Sequence, residues 1–320
     1  MNKKILLAID LLFLTRPVVI APVWGFGAFG VYCVNKGLFT QLELPQYLLM
    51  FLYSLSAASA YVFNQIADYE VDKRNGGFPL LVRGDIPIGA AWACSAACGL
   101  ASIAGPLLMG HWLISVLSLT AITAGCLYSF KPFSLSGRPV FDFLTNAFEA
   151  FLAFSAGWAI AGGGLSSPLL YASALPYFLL MCAGSIGSTL PDMAGDGECG
   201  KATTAVTFGG RAAHRIALGL LIIAIPASIF LSNDFLALSC ALIAVPTYIP
   251  FLISSSKPAY MELTYKVGGS ITMIAASLAV PMLLPAGITV FLMTRVYFRM
   301  RHGVSYPSLK PNNASRGAPR

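Results

Sequence analysis

Charge is scarce in this 320-residue chain. Only 10% of the residues are Asp, Glu, Lys or Arg, whereas 57% are apolar. A soluble domain carries about 25% charged residues, so this composition excludes an ordinary soluble domain. The mean hydropathy of +0.75 and the uncharged stretches 44–63, 91–109 and 216–231 instead predict a helical protein that crosses the membrane several times.

The chain also has little of what most zinc and disulfide sites need. It contains three His and seven Cys, and no two Cys form a C-x-x-C pair. Most of the Cys lie inside apolar runs, where Cys packs as a small apolar residue. The pattern argues against zinc and against a disulfide framework. The net charge of +7 is scattered among loops, which indicates membrane lipid headgroups rather than nucleic acid as partners.

The apolar stretches predict nine membrane-spanning helices. They lie near 14–34, 45–67, 87–109, 112–130, 140–162, 167–190, 212–232, 235–255 and 266–284. A further apolar segment, 286–297, is short for a full crossing. We expect residues 1–305 to form one transmembrane domain and 306–320 to be a polar, disordered tail.

Basic residues fall in alternate loops, around 73–83, 131–138, 201–215 and at Lys257. The positive-inside rule places these loops on the cytoplasmic side, which predicts a multi-pass protein of the cell's inner membrane. Nine crossings would leave the basic C-terminal region outside. Either the segment 286–297 also crosses, or the rule fails here.

Acidic residues, in contrast, are concentrated at two places. Of 13 Asp and Glu, seven lie near the two motifs Asn64-x-x-x-Asp68-x-x-x-Asp72 and Asp192-x-x-x-Asp196. The pair Asp68 and Asp72 recurs 124 residues later as Asp192 and Asp196. This offset spans four helices, so it predicts two parallel four-helix halves. Carboxylates concentrated in a membrane protein indicate a functional site.

Spacing by four places the members of each motif on one helical face, so that their oxygens can converge on a cation. A ligand set of oxygens, without His or Cys, suits Mg²⁺. Several basic residues lie near the motifs and suit a polyanion such as diphosphate; they are Arg16, Lys73, Arg83, Lys131 and Lys201. The alternative is that these residues are solvated charges at helix ends. That would explain one motif, but it poorly explains two motifs at a matching offset.

These residues resemble the motifs of the UbiA superfamily of intramembrane prenyltransferases. The segment 64–75, followed by Arg83-Gly84, is similar to the first family motif. The segment 192–203, which ends in G-K-x-T, is similar to the second. Thr15-Arg16-Pro17 resembles the opening helix of the family, and 128–133 its Y-S-x-P-P stretch. One departure is the stretch 78–84, where many members have Arg-Pro.

The resemblance implies an all-α fold of about nine transmembrane helices around a central cavity. It also implies an enzyme that moves a prenyl group from a polyprenyl diphosphate to an aromatic or other lipophilic acceptor, in quinone, tetrapyrrole or isoprenoid-lipid biosynthesis. The implied Mg²⁺ ligands are Asn64, Asp68, Asp72, Asp192 and Asp196, of which the four Asp are the catalytic residues. The implied diphosphate ligands are Arg16, Arg83, Tyr128, Ser129, Lys131 and Lys201.

Three polar residues on the fifth predicted helix have two interpretations. Asp142, Asn146 and Glu149 are spaced i, i+4 and i+7. They either hydrogen-bond neighbouring helices, or bind and deprotonate the acceptor, for which Glu149 and Asn146 are the candidates. Neither the acceptor nor the length of the donor chain follows from the sequence.

Two other functions remain as alternatives. Intramembrane carboxylates and a parallel repeat also suit an ion-coupled transporter, although its carboxylates would lie nearer the bilayer midplane. A non-catalytic scaffold with the same fold would be expected to lose acidic residues of the motifs, and this chain retains them.

Overall fold

The computed structural model describes residues 3–75, 79–253 and 258–307, which form helices and no β-strand. The helices are α1 (Lys3–Leu14), α2 (Pro17–Asn35), α3 (Leu44–Ala67), α4 (Tyr69–Asn75), α5 (Pro79–Val82), α6 (Ile88–Leu108), α7 (Trp112–Ser129), α8 (Phe141–Ile160), α9 (Pro168–Thr189), α10 (Met193–Glu198), α11 (Thr204–Phe208), α12 (Gly210–Pro226), α13 (Phe235–Ile253), α14 (Pro258–Ala279) and α15 (Leu283–His302). A π-helical segment, Ala227–Ser232, extends α12.

Nine helices within these described ranges are long and apolar enough to cross a membrane. They are α2, α3, α6, α7, α8, α9, α12, α13 and α15. The number agrees with the sequence prediction, but one member differs. The segment 286–297, which the sequence left open, forms part of α15, a helix of 20 residues.

Helix α14 corresponds to the predicted span 266–284 and is less apolar, because its sequence contains Glu262 and Lys266. It nevertheless packs against α2, α9 and α13. Its far end meets the loop after α2, where Phe39 N donates to Leu278 O at 2.7 Å. The basic end of α15 lies at the same end as the acidic motifs, because Arg301 pairs with Asp85. The segment 286–297 is therefore part of a helix whose basic end joins the other basic loops there, whereas Lys257 lies outside the described residues.

The first predicted span, 14–34, is interrupted near its start. Helix α1 ends at Leu14, and Arg16 adopts a left-handed backbone conformation with φ 55° and ψ 62°. Proline disfavours a helical backbone at the residue before it and suits the first turn of a new helix, so Pro17 begins α2. The break leaves Arg16 at the N-terminus of α2, at the end of the bundle that carries the motifs.

Helices α2 and α8 approach each other backbone to backbone. A Cβ atom added to Gly157 would overlap the carbonyl of Gly27, and one added to Gly30 would overlap the carbonyl of Phe154. Small residues at a helix interface permit such close packing in a membrane. The two helices therefore form one continuous wall of the bundle.

The last described helix, α15, packs against the first, α1. The Phe13 and Tyr297 rings stack at 3.8 Å between centroids, and Tyr306 packs edge-on against Phe298 at 5.1 Å. Tyr306, the first residue of the predicted polar tail, thus packs against α15. Residues 308–320 lie outside the described part of the chain.

Candidate active site

Each acidic motif lies where a long helix gives way to a short one. Asp68 is the residue that ends α3, and Asp72 lies in α4. Asp192 ends the 3₁₀ turn that follows α9, and Asp196 lies in α10. The two motifs thus occupy similar places, each at the junction of a long helix and a short one.

Between these helix ends opens a cavity of about 460 Å³. Polar and charged side chains line its mouth, at the motif end of the bundle; they are Arg16, Asn64, Tyr128, Ser129, Ser188, Asp192 and Asp196. Apolar side chains and a tyrosine line its interior; they include Phe26, Tyr53, Ala57, Ala150, Ala153 and Met181. One cavity therefore joins a polar mouth to an apolar interior.

The two motifs meet across this mouth. Asn64 Nδ2 donates to Asp68 Oδ2 at 3.1 Å, and Lys201 Nζ lies 3.6 Å from Asp68 Oδ1. Lys201 belongs to the other motif, since its backbone N donates to Asp196 O at 2.9 Å. The Tyr128 hydroxyl lies within electrostatic range of both Asp68 and Asp196. The structure therefore brings together residues that are far apart in the sequence.

Asp72 lies in the same electrostatic field. Burial raises the pKa of the Asp72 carboxyl, and the neighbouring charge of Asp68 adds to this, whereas Arg16 and Lys201 act in the opposite direction. Two adjacent carboxylates are both stable in their charged form only with positive charge nearby. The mouth therefore has the electrostatics of a cation site.

This site is assembled from oxygen ligands only. Within the described ranges, no three His, Cys, Asp or Glu side chains converge closely enough to hold a metal ion by themselves. Each motif supplies a pair of carboxylates, and Asn64 and Ser188 add neutral oxygens. A metal bound here would need further ligands from water or substrate.

The family to which the chain belongs is evident from a comparison with known sequences. Residues 23–259 match the family model of the UbiA prenyltransferase family. The chain belongs to the UbiA prenyltransferase family. A digeranylgeranylglyceryl phosphate synthase from Saccharolobus solfataricus is 30% identical over 224 residues, which is 67% of this chain and 75% of the relative. This prenyltransferase is therefore an enzyme and an integral membrane protein.

Solved structures agree with the fold. A UbiA homologue from Archaeoglobus fulgidus, bound to DMAPP and Mg²⁺, has a TM-score of 0.65 at 23% identity and covers 88% of this chain and 99% of its own. The apo structure of a UbiA homologue from Aeropyrum pernix K1 has a TM-score of 0.56 at 18% identity, with coverages of 85% and 98%. The predicted family and all-α fold are confirmed.

The loop after the second motif of this prenyltransferase is clamped from α8. Thr204 N donates to Asp142 Oδ2 at 2.8 Å, and the Thr204 hydroxyl donates to Asp142 Oδ1. Nearby, Ala202 N donates to Gly137 O at 3.0 Å. Asp142 is only 1% exposed and does not line the cavity. Of its two interpretations, the structural one is correct, because Asp142 holds the loop that carries Lys201.

The loop after the first motif is clasped by the last helix. Arg301 Nη2 lies 3.1 Å from Asp10 Oδ2 and 2.8 Å from Asp85 Oδ1, and the Tyr297 hydroxyl donates to Asp10 Oδ1 at 2.6 Å. Asp85 counted among the seven acidic residues near the motifs, but its partner is a structural arginine. The sequence contains no signal for this contact, because its members lie more than 200 residues apart.

Three predicted diphosphate ligands, Arg83, Lys131 and Lys201, lie outside the cavity lining, as do the predicted metal ligands Asp68 and Asp72. Arg83 is exposed in the turn after α5, and Lys131 is exposed just after α7. Both lie at the motif end of the bundle, so they contribute positive charge around the mouth. Because both residues lie close to motif segments in the chain, the sequence predicted that they lie at this end. It could not predict the direction in which the turns point their side chains.

Sequence reasoning overlooked two tyrosines of the cavity. Tyr53 and Tyr61 of α3 line it, and the Tyr61 hydroxyl donates to Val19 O at 3.1 Å. The signal was available, because positions 53, 57, 61, 64 and 68 recur at helical spacing on one face of α3. That face, extended back from the first motif, is the cavity face.

Proposed function

We propose that this enzyme is a Mg²⁺-dependent prenyltransferase that moves a prenyl group from a prenyl diphosphate to a lipophilic acceptor within the membrane. The observation that carries the proposal is the joining of two acidic motifs and Arg16 at the polar mouth of one apolar cavity. A charged diphosphate suits the mouth, and a hydrocarbon chain suits the interior. The basic loops support an inner-membrane location with the mouth toward the cytoplasm.

The residues proposed to hold Mg²⁺ are Asn64, Asp68, Asp72, Asp192 and Asp196. Their chemistry fits this ion, because Mg²⁺ prefers oxygen ligands and retains water and phosphate oxygens in its shell. The paired rather than clustered carboxylates fit a metal whose coordination is completed by the substrate. Bound Mg²⁺ would neutralise negative charge on the diphosphate. The Archaeoglobus fulgidus homologue, solved with Mg²⁺ and with DMAPP or GPP, supports this assignment.

We assign the diphosphate to Arg16, Tyr128, Ser129 and Lys201. Ser129 Oγ is buried and has no hydrogen-bond partner among the described residues, so its hydroxyl is available to a phosphate oxygen. Arg16 and Lys201 stabilise the charge that develops as the bond from C1 to the diphosphate breaks. Arg83 and Lys131, which are exposed, attract the anion from a distance.

The apolar interior protects the prenyl cation that departure of the diphosphate leaves behind. Ala57, Ala150 and Ala153 of the interior offer no nucleophile, and an apolar lining of this kind shields the cation from water. The acceptor captures the cation at C1. Glu149 and Asn146, on α8, are the proposed acceptor-side residues, and both line the cavity. The name of the Saccharolobus solfataricus relative makes a prenylated glyceryl phosphate the first product to test.

The test uses purified protein with labelled geranylgeranyl diphosphate and a panel of acceptors: quinone-precursor acids, tetrapyrroles and geranylgeranylglyceryl phosphate. We expect transfer to at least one acceptor in Mg²⁺ and none in EDTA. Equal activity in EDTA and in Mg²⁺ would contradict the metal assignment. Absence of Mg²⁺-dependent binding of the diphosphate would contradict the proposed function as a whole.

A further inference from the structure

One partly buried carboxyl group of the cavity has no role in the assignments of metal and diphosphate. Glu149 lies on α8 seven residues beyond Asp142, or about 10 Å deeper along the helix. It lines the cavity together with Tyr53 and Tyr61 of the facing helix α3. Its depth places it beside the hydrocarbon part of a bound donor, past the mouth where the diphosphate would lie.

Glu149 lacks the bonds that the buried carboxylates Asp10, Asp142 and Asp234 make. Asp10 binds Tyr297 and Arg301, Asp142 binds Thr204 twice, and Asp234 Oδ1 accepts from Ala237 N at 2.9 Å. Within the described residues, Glu149 makes no hydrogen bond, and its Oε1 atom is fully buried. Buried polar atoms are normally bonded, so this oxygen lacks a partner that a ligand would supply.

The alternative, that Glu149 links neighbouring helices, is not supported by these contacts. The link between α8 and α9 is made by Asn146, whose Nδ2 donates to Ser185 Oγ at 2.8 Å. Asn146 Nδ2 also donates to the backbone oxygen of Asp142 at 3.0 Å. This link uses the amide nitrogen of Asn146, whereas Glu149, the cavity-lining acid of α8, remains for a ligand.

The surroundings of Glu149 determine which ligands it accepts. The charged groups in the cavity lining are Arg16, Asp192 and Asp196, all at the mouth. The helices facing Glu149 present Tyr53, Tyr61, Tyr128 and apolar side chains from α2, α3, α7 and α9. A carboxylate or phosphate next to Glu149 would repel it without a cation to compensate. An uncharged hydroxyl group, in contrast, would donate to the unbonded oxygen.

From this geometry we infer that Glu149 is the catalytic base for an acceptor that presents an uncharged alcohol or phenol hydroxyl to the cavity interior. The inference rests on the proposed function. The hydroxyl proton passes to the Glu149 carboxylate, and an electron pair of the acceptor forms the new bond to C1 of the prenyl group. The bond from C1 to the diphosphate breaks, and its electron pair leaves with the diphosphate.

The test compares Glu149→Gln, which keeps the shape but removes the base, with Glu149→Asp, which keeps the base. Glu43→Gln, an exposed residue at the opposite end of the bundle, is the matched control. Labelled geranylgeranyl diphosphate is the donor. The probes are a long-chain alkylphenol, its methyl ether, the matching alkylbenzoic acid, and geranylgeranylglyceryl phosphate, which carries both a hydroxyl and a phosphate.

We expect the wild type to use a hydroxyl-bearing probe and to leave the ether and the alkylbenzoic acid unused. General base catalysis contributes about 10²–10⁴-fold, so Glu149→Gln should lower kcat at least a hundredfold while Kd for the donor stays within about twofold. Glu149→Asp should retain part of the rate together with the acidic limb of the pH profile, and the control should match the wild type.

Three results would overturn the inference. The first is full kcat with an unchanged pH profile in Glu149→Gln. The second is wild-type transfer to the ether or the acid but to neither hydroxyl probe. The third, decisive if Glu149→Gln does not fold, is a Glu149→Asp variant whose pH profile is flat. In each case Mg²⁺-dependent donor binding would persist, whereas its loss would contradict the proposed function itself.

Discussion

The loops that follow the two acidic motifs are fixed by different chemistry. The second loop is held by Asp142, a carboxylate only 1% exposed, which accepts two hydrogen bonds from Thr204. The first loop is held by an ion pair between Asp85 and Arg301, whose side chains are 21% and 28% exposed. The two motifs lie at similar helix junctions, but the contacts that hold their loops differ.

The difference has a physical consequence for each half of the site. Hydrogen bonds to a buried carboxylate are strong and are not screened by solvent. The ion pair between Asp85 and Arg301 is partly exposed, so salt screens it more than it screens the buried clamp. The loop after the second motif is therefore held firmly by α8. The loop after the first motif depends on contacts with the last helix, α15. The two motifs carry matching pairs of Asp residues, but the contacts that hold their loops differ in strength.

The largest expected effect tests the equivalence of the acids. Asp68→Ala and Asp192→Ala should each lower prenyl transfer by about 10³-fold or more, because each removes charge stabilisation worth several kcal/mol. Both variants should fold. Glu70→Ala is the matched control, since Glu70 lies between Asp68 and Asp72 but is exposed. Substantial activity in one variant alone would show that the two motifs are not equivalent.

The next effect tests the buried clamp. Asp142→Asn loses a charged acceptor and leaves one donor of Thr204 poorly bonded, which should cost about 1–3 kcal/mol in the free energy of unfolding. Because the freed loop carries Lys201, KM for the prenyl diphosphate should rise as well. Thr204→Val, which keeps the backbone donor, should show a smaller loss. An unchanged Tm in Asp142→Asn would mean that the clamp does not support the loop.

The smallest effect tests the partly exposed ion pair of the clasp. Asp85→Asn should raise KM for the donor about threefold, in keeping with the modest energy of such a pair, and it leaves the bond of Arg301 to the buried Asp10 intact. High salt should reproduce the loss in the wild type and add little in Asp85→Asn, because the Debye length falls to about 3 Å at 1 M. Equal salt sensitivity of the wild type and Asp85→Asn would show that this ion pair does not support the loop.

The sequence predicted the site better than its supports. Helical spacing and the offset of 124 residues identified both motifs, whereas the loop charges left open whether the segment 286–297 crosses. The break at Arg16 was readable from Pro17. In contrast, the partners of Asp10 and Asp142 depend on which helices become neighbours. That outcome is set by packing, such as the glycine contact between α2 and α8, and no local pattern specifies it.

Because Phe13 stacks on Tyr297, the first and last described helices are neighbours, and the order of the helices along the chain could be changed. Because α1 and α15 lie side by side at one end of the bundle, a short linker could join them there. A new opening in the loop between α8 and α9, residues 161–167, lies at the opposite end. Circular permutation is tolerated where termini are close and the new opening is in a surface loop. A permuted gene would therefore encode Asp192 before Asp68 and still assemble the same cavity.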